Sequence, residues 1–152
     1  MYNPGHSSRN AMVGLCDDMK RVIYRAYQLL SHFDQGVDMS VIQSIRLEAE
    51  QRENIEKGVS WTMDSDHLRM DEDQSGVLAV DVYPWIPGIG TSHDPMHYDI
   101  LAKRIFHAAQ IERVAVKWGG FWQKRDESGV LVPAPDRPHW AKRRLILPSG
   151  MV

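Results

Sequence analysis

The chain has 152 residues, 43% hydrophobic and 25% charged, with 18 Lys and Arg against 20 Asp and Glu for a formal net charge of −2. A domain of this length buries about 68–70% of the surface its unfolded chain exposes, and these proportions exclude a disordered chain or a fibrous repeat. The charge balance excludes a basic stripe for nucleic acid, and the single cysteine, Cys16, excludes an internal disulfide and any zinc site built from several thiolates.

The opening residues, from Met1 to His6, lack a charged start and an apolar signal core, and no run of about 18 apolar residues follows, so a cytosolic protein is expected, released only by another factor. Residues 13–33 carry Met19, Val22, Ile23, Ala26, Leu29, Leu30 and Phe33 at helical spacing, with Asp17 and Asp18 in an early turn. This predicts the first helix. Gln35-Gly36 ends it, 37–45 predicts a short strand, and 47–57 predicts a mostly polar helix stopping before Gly58. Residues 77–83 read as a buried strand between Gly76 and Pro84, rich in β-branched side chains.

Pro87-Gly88-Ile89-Gly90 makes a loop, and 95–111 predicts a helix capped by Asp94, with Pro95 in its first turn and Ile100, Leu101, Ile105, Ala108 and Ala109 on one face. A strand over 114–118 ends at Gly119-Gly120, a turn covers 126–129, and 140–147 predicts a last strand around Lys142-Arg143-Arg144. Helices come first and strands mostly later, so the expected fold is α+β in one domain spanning 1–152, without linker, repeat or separate binding domain.

Three clusters place His and Asp beside strand edges and turns: Ser65-Asp66-His67; Asp81 inside Val77-Leu78-Ala79-Val80-Asp81-Val82-Tyr83; and Asp136-Arg137-Pro138-His139-Trp140. An ionised carboxylate in an apolar strand is costly without a cation or several donors, so Asp81 asks for a partner. His67, Asp81 and His139 together are a neutral-nitrogen and carboxylate set suited to zinc with a fourth position for water. Zinc lowers the pKa of bound water from 15.7 to about 7, and Asp136 could take the proton as hydroxide attacks a carbonyl, which is amide hydrolysis. Other readings stay open at this point: Asp81 could pair with an arginine, and Asp136 could be a turn residue before Pro138.

The remaining candidates are weaker. His93 and His97 are spaced i, i+4, but Pro95 lies between them and no glutamate follows the first histidine. His6, His32 and His107 have no partners by spacing. Cys16 reads as a small apolar filler, and Ser65 lacks the glycines of a nucleophile elbow. Lys142-Arg143-Arg144 reads as a solvated strand edge that could touch anionic polymer or phosphate, and Asp71-Glu72-Asp73 as a solvated insertion without calcium-loop spacing.

The clusters also form an ordered set. Ser65-x-His67, Gly76 leading into Ala79-Val80-Asp81, Trp118-Gly119-Gly120-x-Trp122 and Asp136-x-Pro138-His139-Trp140 resemble the D-alanyl-D-alanine carboxypeptidase and L-alanyl-D-glutamate endopeptidase family of zinc peptidases, particularly phage endolysins. Upstream, Arg46 with Gln51, and Gly58-Val59-Ser60 before Thr62, are similar to the family's arginine-glutamine helix and Gly-x-Ser-x-Thr stretch. The resemblance implies one zinc ion on His67, Asp81 and His139, Asp136 as general base, and Arg46 binding or polarising a substrate carbonyl or carboxylate. It also implies supporting roles for Gln51 and Ser65 and a peptide groove lined at the Trp118-Gly119-Gly120 strand end; Trp85, Trp118, Trp122 and Trp140 could flank that groove or serve as core and rim packing. The implied fold is a small antiparallel sheet flanked by helices, of the Hedgehog and D,D-peptidase type.

The sequence departs from that pattern in three places. His67 and Asp81 are fourteen positions apart where the family has about seven, and most of the extra residues fall in 69–75. A longer loop adds little closure entropy, about 0.6 kcal/mol per doubling. Gly76 to Asp81 is one residue longer than the family spacing, which suggests a bulge, and Phe121 stands where the family has aspartate. The reading that follows is a monomeric phage endolysin with L-alanyl-D-glutamate endopeptidase activity on bacterial peptidoglycan. It would be held in the host cytoplasm until a holin-like protein admits it to the periplasm and wall. A D-alanyl-D-alanine carboxypeptidase and a catalytically silent wall-binding module are the alternatives.

Overall fold

The computed structural model describes residues 4–30, 36–43 and 66–143. The elements are α1 (His6–Ala11), α2 (Asp17–Leu29), β1 (Asp38–Gln43), β2 (Ala79–Ile86), β3 (Gly90–Thr91), α3 (Pro95–Glu112), β4 (Val116–Trp118), a single 3-10 turn (Gly119–Phe121), β5 (Gln123–Arg125), β6 (Leu131–Pro133) and β7 (His139–Lys142). The helix predicted over 47–57, and with it Arg46, Gln51 and Ser65, lies outside the described residues.

The two long helices form for the reasons their sequences give. In α2 the buried residues Met19, Val22, Ile23, Ala26 and Tyr27 follow the i, i+3, i+4, i+7, i+8 pattern of one apolar stripe. In α3 the Asp94 carboxylate accepts from the Met96 amide at 2.9 Å, Pro95 occupies the first turn, and Tyr98, Leu101, Ala102, Ile105, Ala108 and Ala109 make the buried face. Arg113 in the left-handed region ends α3, and the Val114 amide donates back to the Ala109 carbonyl at 3.0 Å.

The main sheet is antiparallel, in the order β1-β2-β7-β4, with β3 paired to the far end of β2. Val80, Val82, Val116, Trp118 and Trp140 belong to one core with the apolar stripes of α2 and α3. Strand neighbours alternate between faces, so Asp81 and His139 lie on the face away from that core. No helix among the described residues is long and apolar enough to cross a membrane.

The predicted elements shift in instructive ways. The helix expected over 13–33 is cut at its start, because a turn at 12–14 with Gly14 at φ 83 separates α1 from α2. Pro84 does not end β2: it stays in the ladder opposite Met39, and its carbonyl accepts from the Ser92 amide at 2.9 Å. The short elements α1, β3, β5 and β6 have no counterpart among the predicted ones, while the turn expected over 126–129 is the one that joins β5 to β6.

Candidate active site

Two of the three predicted ligands are placed by strand register. Asp81 of β2 and His139 of β7 are direct cross-strand partners, so both side chains leave the same face of the sheet side by side. Ala79 and Ala141, the next pair on that face, are fully buried and small. The third, His67, sits in the turn at 66–68, which is stitched to the start of β2: the Ala79 amide donates to the Asp66 carbonyl at 3.2 Å and the Leu78 amide to the Arg69 carbonyl at 3.0 Å.

The Asp66 carboxylate then reaches Lys117 Nζ of β4 at 2.5 Å, fastening the turn across the sheet. Asp66 stands in the first of the predicted clusters with no role assigned to it, and Lys117 is not among the predicted candidates. The available signal was a lone lysine inside the apolar run Val114-Ala115-Val116-Lys117-Trp118.

The three groups converge. His67 Nε2 lies 3.2 Å from Asp81 Oδ1, His139 Nδ1 lies 4.0 Å from the same oxygen, and the imidazole centroids are 5.1 Å apart, edge to face. One ligand atom from each residue falls within 4.8 Å of the others. His67 and His139 are 2% and 4% exposed, so both rings sit out of water. Burial, reinforced by the neighbouring His67, pushes the His139 imidazole down to about 4, which keeps it neutral near pH 7. His139 Nε2 is buried without a hydrogen-bond partner among the described residues. Two buried imidazoles, a carboxylate between them and an orphaned ring nitrogen fit a divalent cation such as zinc.

The loop before β7 is fixed at several points. The Asp136 amide donates to the Gly119 carbonyl at 2.8 Å, the Trp118 indole to the Arg137 carbonyl at 2.7 Å, the Val82 amide to the Pro138 carbonyl at 2.8 Å, and the His139 amide to the Asp136 carbonyl at 3.2 Å. Gly119 is required there, because a Cβ on it would stand 2.1 Å from the Asp136 carbonyl oxygen. Asp136 itself is exposed. Burial, then Tyr83, then Asp136 push the Tyr98 hydroxyl up to about 12, with Asp81 adding a smaller push, and the Tyr98 ring lies 6.4 Å from that of Tyr83.

The comparisons with known proteins fit this geometry. Residues 2–139 match the model of a family described as phage L-alanyl-D-glutamate peptidase. The chain belongs to that family. Among solved structures, the Serratia marcescens L-Ala D-Glu endopeptidase ChiX is similar, at 29% identity and a TM-score of 0.71, over 91% of this chain and 87% of that one. No curated protein sequence matches the chain.

Within this peptidase the other predicted residues fall into separate groups. Trp118 and Trp140 are cross-strand partners stacked at 5.6 Å and are 6% and 2% exposed in the core. They support the sheet and, through the Trp118 indole, the Asp136 loop; burial on the core face keeps both from lining a groove. Trp122, 4.7 Å from the His139 ring, is the tryptophan at the site. Trp85 is exposed at the far end of β2.

His93 precedes the Asp94 cap and stands against Tyr83, while His97 bonds Ser92 Oγ at 2.6 Å, so the two do not form a helical pair. Asp71 is not a solvated loop residue: it is 5% exposed and pairs with Lys142 at 2.9 Å. Lys142 is accordingly tied down at Asp18 and Asp71 and is not a free strand edge. Burial pushes the Cys16 thiol up to about 11, in keeping with a filler.

Proposed function

We propose that this peptidase hydrolyses the L-alanyl-D-glutamate bond of peptidoglycan stem peptides, as a phage endolysin, with one zinc ion held by His67, Asp81 and His139. The observation that carries the reading is the convergence of those three side chains in a member of this family. Bound there, zinc would supply a Lewis acid for the scissile carbonyl and an ionisable water at neutral pH. The two imidazoles and Asp81 would set the cation's place, and the pair between Asp66 and Lys117 holds the His67 turn against the sheet.

Asp136, exposed on a loop fixed by four hydrogen bonds, is the proton acceptor for the attacking water and returns the proton to the leaving amine. Arg46, from the resemblance, binds or polarises the substrate carbonyl, with Gln51 and Ser65 in support. The enzyme acts as a monomer on the wall. It waits in the host cytoplasm until a holin-like protein opens the membrane.

Digestion of purified peptidoglycan followed by mass spectrometry tests this. New L-alanine carboxyl ends, lost on chelation and restored by zinc, are expected. Release of free D-alanine instead would make the enzyme a D,D-carboxypeptidase, and wall binding by a metal-free, inactive protein would make it a silent module.

A further inference from the structure

The chain continues from the site into a ribbon whose side chains are sorted by face. Trp122 is extended, with φ −67 and ψ 146, and its carbonyl accepts from the Ala134 amide at 2.8 Å. The ladder then runs Gln123 opposite Pro133, Lys124 opposite Val132, and Arg125 opposite Leu131. Strand alternation therefore puts Trp122, Lys124, Val132 and Ala134 on one face of the β5–β6 ribbon. Burial agrees: Trp122, Val132 and Ala134 are half-buried, while Gln123, Arg125, Leu131 and Pro133 on the other face are exposed.

The half-buried face is the one that carries the Trp122 ring to 4.7 Å from His139. Lys124 lies two residues further along it, about 6.4–6.8 Å by strand rise. Two of the other three charges of this hairpin are hydrogen-bonded within it, and the third, Glu127, is exposed in the turn. Arg125 donates to the Gly129 carbonyl at 2.8 Å, and the Asp126 carboxylate accepts from Ser128 and Val130 across the turn. Lys124 is exposed and has no acidic partner among the described residues.

We infer that Lys124 is a specificity-determining residue that holds a carboxylate of the stem peptide as the chain passes over Trp122 toward the metal ligands. This rests on the function proposed above. The shared chemistry is a peptide carboxylate, from either of two sources: the free α-carboxylate of a γ-linked acidic residue, or the carboxyl terminus of the stem. A flexible ammonium on an exposed strand suits a single anionic group that must also be released with product.

Steady-state kinetics on synthetic stem peptides test it, with both carboxylates free, with each amidated in turn, and with both amidated. On the free peptide, Lys124→Gln is expected to raise KM about fivefold to tenfold with kcat within about twofold, as for loss of uniform binding, while Lys124→Arg restores KM. Amidation at the carboxylate that Lys124 holds should raise the wild-type KM by a similar factor and abolish the difference between wild type and Lys124→Gln, which identifies the source.

An unchanged KM for Lys124→Gln on the free peptide, or a penalty that survives double amidation, overturns the inference and leaves the proposed function standing. A wild-type enzyme that cleaves none of the peptides, zinc present, overturns both. Lys124 is exposed, so the substitutions leave the fold intact.

Discussion

Replacing Gly119 by alanine separates the position of Asp136 from its chemistry. The new Cβ would lie 2.1 Å from the Asp136 carbonyl oxygen, and real Cβ contacts stay above 3.0 Å, so that oxygen must retreat by at least about 0.9 Å. The rest of the loop resists, because Arg137 and Pro138 are held by Trp118 and Val82 at 2.7 and 2.8 Å. The displacement therefore falls chiefly on Asp136, with the His139 Cβ, 3.1 Å from the new atom, giving by a few tenths of an ångström, which the zinc measurement reads separately. A misplacement of about 1 Å costs about 10²-fold in rate, or about 2.7 kcal/mol of transition-state stabilisation. Overpacking adds roughly 1–3 kcal/mol of lost stability, so rates are measured below the variant's own Tm. Asp136→Asn alone should lower kcat by about 10²–10⁴ with zinc retained. In that background Gly119→Ala should cost little more, since the group it displaces no longer takes a proton. The assay is peptide hydrolysis with zinc content measured in parallel. Wild-type kcat for Gly119→Ala, or an undiminished penalty in the Asp136→Asn background, would refute the account of how this loop works.

Further outcomes follow from the same contacts. His67→Ala should lose both zinc, by elemental analysis, and hydrolysis, in contrast to Asp136→Asn. Lys142→Ala leaves the buried Asp71 carboxylate, 4% exposed, without its cation; removing one partner of a buried pair costs about 3–5 kcal/mol, and the 25% exposure of Lys142 sets the expectation near 3 kcal/mol by denaturant unfolding, with kcat of the folded enzyme unchanged. The Asp18 carboxyl is held below its ordinary 3.8, chiefly by the hydrogen bond from Lys142, so its contribution is present above that pH and lost as pH falls through the lower folded value. Lys142→Ala should flatten that acid limb. The Cys16 thiol, raised to about 11, should resist thiol reagents at pH 8 in the native protein and react at once when unfolded.

The parts of the fold legible in the sequence are those whose burial imposes a period. Helix α3 showed its cap, its proline and its apolar face, and β2 showed an apolar run with one misplaced charge. Helix α1 could not be read, because His6-Ser7-Ser8-Arg9-Asn10-Ala11 has no apolar stripe; it is tied to the sheet instead by Ser8 Oγ, which accepts from the Val41 amide at 3.1 Å. The β5 and β6 strands are mostly exposed and give no strong alternation. At the site, the residue types were visible but the partner of Asp81 was not. Whether it met an arginine or two imidazoles depends on a long-range register, Asp81 opposite His139, which no local pattern encodes. The tryptophans misled for a related reason: Trp118 and Trp140 lie one residue from glycine and histidine of the motif, and one residue along a strand is the opposite face.

The fourteen-position separation of His67 and Asp81 need not disturb the three converging side chains, because part of the extra sequence forms a closed neck and the rest lies beyond it. Across that neck the Leu78 amide bonds the Arg69 carbonyl at 3.0 Å, Met70 bridges Val77, and the Asp71 amide bonds the Gly76 carbonyl at 2.8 Å. The neck is also sewn to the turn before α2, where the Val77 amide donates to the Gly14 carbonyl at 2.8 Å and the Cys16 amide to the Val77 carbonyl at 2.9 Å. Gly76 permits that seam, since a Cβ on it would lie 2.3 Å from the Gly14 carbonyl oxygen. The distance from His67 to Asp81 is thus set by backbone joins at 66–69 and 76–79, whatever the length of chain carried between 71 and 76. Spacing along this sequence is therefore a weaker guide to the candidate metal site than the pairs of backbone groups that close each loop.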